Sequence, residues 1–172
     1  MKTITRSKET GNYNSKTQRV YNSEKTFSII PIEGWINYSE GNNIIFAAPK
    51  QTTLGVRYQD NIQIDADPVY NMELDGLWNS YVVDILPKSF ENYKMKQMGI
   101  SSINGKNAKW IEFTNTAHGQ TFYNLVYMLV ENNIMYCIMC ITLERVYQTV
   151  EKDFKQMVNT FKIEVQRKDA KR

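Results

Sequence analysis

Histidine and cysteine are nearly missing from this chain: one of the first and two of the second in 172 residues. That shortage removes most nucleophilic and metal chemistry. The sole histidine, His118, stands in "TNTAHGQT" with no cysteine or second histidine beside it. A nucleophile needs a base within reach, so His118 reads as a turn residue. No G-x-S-x-G and no H-E-x-x-H occurs. The glycines in "GNN" and "NGKN" lack the spacing and the following helix of a phosphate-binding loop. No run approaches about 18 apolar residues, which excludes a membrane-spanning helix. The first residues, "MKTITRSKETGNYNSKTQR", lack the apolar stretch of a signal peptide. As written, the chain is expected in the cytoplasm; a trimmed leader would make it exported or lipid-anchored.

Charge is unevenly placed. The net charge is +3, yet residues 1–25 hold six basic and two acidic groups, and residues 166–172 hold four basic and one acidic. The segment between them is therefore net acidic. A nucleic-acid binder concentrates Lys and Arg on a folded face, so nucleic acid is not an expected partner. Residues 1–25, rich in Ser, Thr, Asn and Lys early on, read as a disordered basic arm, and 166–172 as a basic tail. Residues 26–165 are left as a single domain, long enough to bury a sizeable core.

Only four prolines are present, and each reads as punctuation. "FSIIP" is a short strand stopped at Pro31 and "IIFAAP" a strand stopped at Pro49, with "INYS" between them. "LGVRYQDNIQI" keeps Val56, Tyr58, Ile62 and Ile64 on one parity, as one strand would. Asp67-Pro68 suits a helix start, and Leu74, Leu77, Trp78, Tyr81 and Ile85 recur at helical spacing up to Pro87, expected to end the helix. Gly76 inside that helix suggests a close approach to the sheet. "NYKMKQMGISSI" and "KNAKWIEFTN" flank Asn104-Gly105, a strong hairpin signal. "TAHG" is a second turn and Asn132-Asn133 a third. A last helix is expected from Thr142, with Val146, Val150, Phe154, Met157 and Phe161 as its stripe, followed by a strand in "FKIEV".

"FYNLVYMLV" and "IMYCIMCI" are apolar at both parities. Such strands are buried on both faces. With two amphipathic helices available, the expectation is an α+β fold: an α/β/α sandwich around a central antiparallel sheet. The helices alone need not cover that sheet.

The second of these strands carries the one suggestive motif, Cys137-x-x-Cys140. In a redox centre the pair opens a helix. In a strand, residues three apart point to opposite faces, with Cα atoms about 10 Å apart. A disulfide needs them within about 7 Å. The cysteines are therefore expected to be buried, structural and unpaired, with no metal and no cofactor. Asp60, Asp65 and Asp67 form an acidic cluster that fits a weak cation site by ligand type, but its spacing is not that of a calcium loop. Trp35, Tyr38 and Tyr58 are taken as strand and core residues before recognition residues.

The order of several short motifs resembles the PsbP-like superfamily, which includes the Mog-type factors. The carrying residues are "TFSIIPIEGW" at 26–35, "IIFAAP" at 44–49, "SSINGKNAKWIEF" at 101–113 and "FKQMVNTFKI" at 154–163. Thr160-Phe161 stands where that family often has Ser-Phe. The likeness spans about residues 26–165. It implies the same α/β/α sandwich and a non-enzymatic accessory, scaffold or binding role, with a bacterial accessory protein the nearest fit. No photosystem or Ran-contact motif carries over residue by residue. The sequence expectation is thus a non-catalytic domain that binds a protein partner, with binding residues unassigned. The rivals are a small-molecule or lipid carrier, marked by an enclosed apolar cavity, and a hydrolase or lyase built on carboxylates and tyrosines, marked by a deep polar pocket.

Overall fold

A computed structural model describes residues 13–164. The chain opens with β1 (Tyr13–Asn14), β2 (Arg19–Tyr21), β3 (Phe27–Ile29), β4 (Ile36–Asn37) and β5 (Ile44–Ala47). A small hairpin follows, β6 (Gln51–Thr53) and β7 (Val56–Tyr58), and then β8 (Asn61–Pro68). The first helical rod is α1 (Leu74–Ser80), a π-turn (Tyr81–Ile85) and α2 (Leu86–Ser89). Four long strands come next: β9 (Lys94–Ile103), β10 (Lys106–Ala117), β11 (Gln120–Glu131) and β12 (Ile134–Leu143). Helix α3 (Tyr147–Asn159) and β13 (Lys162–Ile163) complete the described residues.

The long strands form a meander because the turns between them permit nothing else. Asn104-Gly105, His118-Gly119 and Asn132-Asn133 all have positive φ, the geometry of two-residue hairpin turns that match strand twist. The meander extends into a seven-stranded antiparallel sheet ordered β4-β5-β8-β12-β11-β10-β9. On one face α3 packs Val150, Phe154 and Met157 against Ile62, Ile64, Leu125, Ile138 and Cys140. The small sheet β1-β2-β3-β13 joins this core through Phe27 and Ile29. On the other face the α1–α2 rod packs Trp78 and Leu86 against Ile111, Phe113, Val126 and Met128. The expected α+β sandwich, helices on both faces of an antiparallel sheet, is the observed architecture. The double-parity reading of β11 and β12 explains it: each core takes alternate residues of the same two strands.

Local departures have physical causes. The arm expected through residue 25 is ordered from Tyr13 onward within the described residues. Arg19 donates to the Thr160 carbonyl (2.9 Å) and to Ser28 Oγ (3.0 Å), Val20 is buried, and the buried Asn22 Oδ1 accepts from the backbone N–H of Thr26 and Phe27. Residues 1–12 and the tail at 166–172 lie outside the described residues. Asp67-Pro68 does not start a helix; it ends β8, where Met135 and Ile134 pair with it. Pro87 does not stop the rod. The π-turn, closed by the Leu86 N–H on the Tyr81 carbonyl, makes Pro87 an opening residue of the next helical turn, where no N–H is needed. Thr142 remains in β12 and gives its hydroxyl to Asp60 instead of capping α3. The single strand read across 54–64 is split at Gln59-Asp60, because Leu54-Gly55 already closes a hairpin between β6 and β7. Gly76 has open space around it, so no close approach accounts for it.

Gly99 does have such a reason. It faces Trp110 across the β9–β10 ladder, and an added Cβ would lie 2.9 Å from the indole ring. Gly99→Ala should therefore cost about 1–3 kcal/mol through forced displacement of the ring. Gly76→Ala should be neutral or stabilising, since helix interiors favour Ala over Gly by about 1 kcal/mol. Urea unfolding of both variants checks the contrast.

Candidate functional site

The most chemically loaded cluster lies under α3. Glu112 of β10 shares a parity with Ala108 and Trp110, so its carboxylate points into the main core and is only 2 % exposed. Charge in that place demands partners. Tyr147, the first residue of α3, donates its hydroxyl to Oε1 at 2.7 Å, and Tyr123 of β11 donates to Oε2 at 2.7 Å. Gln97 of β9 donates its amide to Oε2 as well. The two phenol rings stack with centroids 3.7 Å apart. Three elements besides β10 thus converge on one carboxylate.

The electrostatics point away from acid–base work. Burial pushes the Glu112 carboxyl up, but hydrogen bonds from Gln97, Tyr147 and Tyr123, with the Lys155 charge, outweigh it and leave the pKa below the usual value. Burial and the donated bonds to Glu112 raise both phenols. A general acid–base pair would have pKa values brought toward neutrality; here the carboxylate is held ionised and the phenols are held protonated. Among the described residues, no buried side-chain polar atom lacks a hydrogen-bond partner. The cluster is a filled clamp between α3 and the sheet. Two surface depressions lie elsewhere, and neither is lined by Glu112, Tyr123, Tyr147 or Gln97. One of about 590 Å³ is open to solvent along α3, lined by Gln148, Glu151, Lys152, Lys155, Gln156 and Asn159. Another of about 150 Å³ lies between the Asn104 turn and β13. Neither is an enclosed apolar cavity or a deep pocket holding two carboxylates.

The residues singled out in sequence are kept apart by the fold. Cys137 and Cys140 are free thiols on opposite faces of β12, Cys140 buried in the α3 core as expected and Cys137 only half-buried, against the α1–α2 rod that covers that face less fully. Burial pushes the Cys137 thiol up to about 12, despite a hydrogen bond from the Tyr81 hydroxyl, and raises Cys140 too. Asp60 points to the α3 side, where it accepts from Thr142 at 2.6 Å. Asp65 and Asp67 have the other parity of β8, so the three carboxylates do not share a cation; burial raises Asp60 and Asp65. Among the described residues, no three His, Cys, Asp or Glu side chains gather as a metal cage. His118 is exposed at its turn. Trp35 packs edge-on against Phe154, Tyr58 bonds Gln51, and Tyr38 is half exposed.

The sequence reading passed over a second feature, on the α1 side. The rod covers β10, β11 and β12; beyond it the β8 side is only partly open, with Asn61, Gln63 and Asp65 half-buried and Ala47 of β5 buried, whereas the β9 side is exposed. The β8 flank presents Asn61, Gln63, Asp65 and Asp67. The β9 flank presents Met95, Met98 and Ile100, which are 50 %, 52 % and 80 % exposed. Polar side chains suit an open flank; three adjacent apolar ones do not. The signal in sequence was the alternation inside "KMKQMGISSI", which becomes informative only once β9 is known to be an edge.

Two outcomes follow. Tyr147→Phe should destabilise by about 1.5–3 kcal/mol, the usual worth of a hydrogen bond to a charged group. Because the folded-state pKa of Glu112 is lowered, its contribution is present above the unfolded value near 4.5 and is lost as pH falls through the lower folded value. Glu112→Gln should flatten that acid limb, measured by urea unfolding between neutral pH and pH values below 4.5. Separately, neither thiol should react with iodoacetamide in the native protein at mildly alkaline pH, and both should react in urea, as read by mass spectrometry.

No family model matches this chain, and no curated protein matches it. Solved structures do. Cyanobacterial PsbP (CyanoP) from Synechocystis sp. PCC 6803 superposes with a TM-score of 0.60 at 14 % identity, covering 86 % of this chain and 92 % of the other. The Saccharomyces cerevisiae Ran-binding protein Mog1p gives 0.57 at 12 % identity, covering 84 % and 94 %. A protein of unknown function from Pseudomonas aeruginosa, PA94, described as a putative regulator, gives 0.60 at 13 % identity, covering 83 % and 93 %. The sheet order, the two helical layers and these superpositions together establish that this chain has the PsbP/Mog-like fold.

Proposed function

We propose that this chain is a non-catalytic accessory domain that binds a protein partner through the β9 flank of its sheet. The observation that carries the reading is the exposed apolar row on the α1 side of β9, Met95, Met98 and Ile100, whereas β8 presents the polar and mostly half-buried Asn61, Gln63, Asp65 and Asp67 on that side. An apolar row maintained in water without a covering layer is what a partner-binding surface requires. The clamped state of Glu112, with its partners titrating away from neutrality, supports a role without turnover. Mog1p, a Ran-binding protein of the same fold, is a precedent for protein recognition on this scaffold. Neither nucleic acid nor a cofactor is required by this reading. Among the described residues, no helix is long and apolar enough to cross a membrane.

A photo-crosslinking residue placed at Ile100 in the full chain should yield one discrete protein adduct in the native host. The same residue at Gln63 should yield none. Met98→Lys combined with Ile100→Lys should abolish an adduct formed from a crosslinker at Met95. Stability should change by no more than about 0.5 kcal/mol per site, as expected for exposed positions. Equal adducts from both flanks, or turnover of a substrate by the purified protein, would overturn the proposal.

A further inference from the structure

We infer that β9 accepts an added strand: an extended segment of a partner protein, apolar at alternate positions and acidic near its C-terminal end, pairs antiparallel with the outer edge of β9. The inference rests on the proposed binding role of this flank and specifies how the partner is held. β9 is the outermost strand of the seven, and its outer edge has no partner strand among the described residues. Its neighbour fixes which backbone groups are free. Ile103 and Lys106 flank the two-residue turn, so they form a hydrogen-bonded pair. Antiparallel bonding alternates, so Ser101 with Ala108, Gly99 with Trp110 and Gln97 with Glu112 are bonded too. The N–H and C=O groups of Met98, Ile100 and Ser102 are therefore directed outward.

The same three residues place their side chains on the α1 side, and two of them are the exposed Met98 and Ile100. Ladder and apolar contact are thus offered together, as strand addition uses them. The start of β9 is guarded: the register shifts opposite Glu112 and Phe113, and Lys94 and Lys96 stand there. Bulges and edge lysines are devices that prevent strand pairing. Gln97–Ile103 has neither; it is uncharged, regular and free of proline. The lysines also select the occupant. β9 carries no acidic residue. Lys96 lies 3.5 Å from Glu144, while Lys94 has no carboxylate partner among the described residues. An antiparallel strand brings its C-terminal end to Lys94, so a carboxylate there completes the charge. In the same antiparallel pairing a second copy would bring Ser101–Ile103 of its own β9 to Lys94, and no carboxylate.

The test uses the full chain and a synthetic peptide of about eight residues, alternating valine and threonine with two glutamates at its C-terminal end. At millimolar peptide, amide exchange followed by NMR should slow at Met98, Ile100 and Ser102. It should be unchanged at Gln97, Gly99 and Ser101, already bonded to β10. Ile100→Pro, which removes an outward N–H and no bond to β10, should weaken peptide binding at least about tenfold more than Ile100→Ala. Lys94→Glu should weaken the acidic peptide and leave a glutamine-ended one unaffected. Absence of protection at the three outward amides, or equal loss in the proline and alanine variants, would overturn strand addition. Protection that grows with protein concentration without peptide would assign the edge to a second copy and overturn the acidic partner. Should the peptide results fail while the crosslinked adduct persists and is lost in the double lysine variant, strand addition falls and the binding surface stands.

Discussion

Two-sided burial of β11 and β12 is the constraint from which the rest of this molecule is built. A strand apolar at both parities has no face to give to water, so it needs a layer above and a layer below. Leu125, Leu129, Ile138 and Cys140 fill the α3 core, while Val126, Met128, Cys137 and Met139 face the α1–α2 rod. The layers are unequal. On the α3 side, β3 supplies Phe27, the helix Phe154 and Met157, and the link to β13 Phe161, and that core reaches from β5 to Ile103 of β9. On the other side a single rod serves a seven-stranded sheet and covers its middle. The exposed β9 flank is a geometric consequence of one rod on a wide sheet, and its composition is where the sequence had freedom.

This division also explains what was legible in the sequence. The hairpin turns and the double-parity strands are local signals, and both led to the correct layers. Opposite facing of Cys137 and Cys140 followed from strand period alone. The misplaced helix starts share one cause: Asp67-Pro68 and Thr142 have good capping chemistry, but ladder pairing with Ile134 and Met135, and with Tyr123, took those residues into strands first. Tertiary pairing outweighs a cap worth about 1 kcal/mol. Pro87 continues the rod because a π-turn precedes it, and no short sequence pattern encodes that turn. The ordered stretch from Tyr13 depends on Arg19 reaching Thr160, a contact across the whole chain that composition cannot reveal. The Glu112 clamp left one trace, a charge at an inward parity beside Trp110, but its partners Tyr123, Tyr147 and Gln97 come from three other elements.

That clamp shows how a cluster of reactive residue types can serve to hold elements together. A carboxylate and two tyrosines within 2.7 Å resemble general acid–base machinery when only residue types are counted. Their titration is displaced in opposite directions, away from neutral pH, because each hydrogen bond stabilises the ionised carboxylate and the protonated phenol together. The result is a fixed ionic anchor that sets where α3 begins. It also reaches β9 through Gln97, which is the first residue of the regular stretch of that strand.

The hydrogen bond from Gln97 to Glu112 ties the outermost strand to its neighbour through side chains as well as through the backbone ladder. Gly99 adds to it, because the Trp110 ring lies against its Cα and holds the centre of β9 flat on the α3 side. Met98 and Ile100 alternate with these two anchored residues and face the other way. Fixing Gln97 and Gly99 from below therefore fixes Met98 and Ile100 above, with no contact made to either. For the proposed strand addition, this leaves Met98 and Ile100 exposed while the entropy of holding their backbone in an extended form has already been met by the fold.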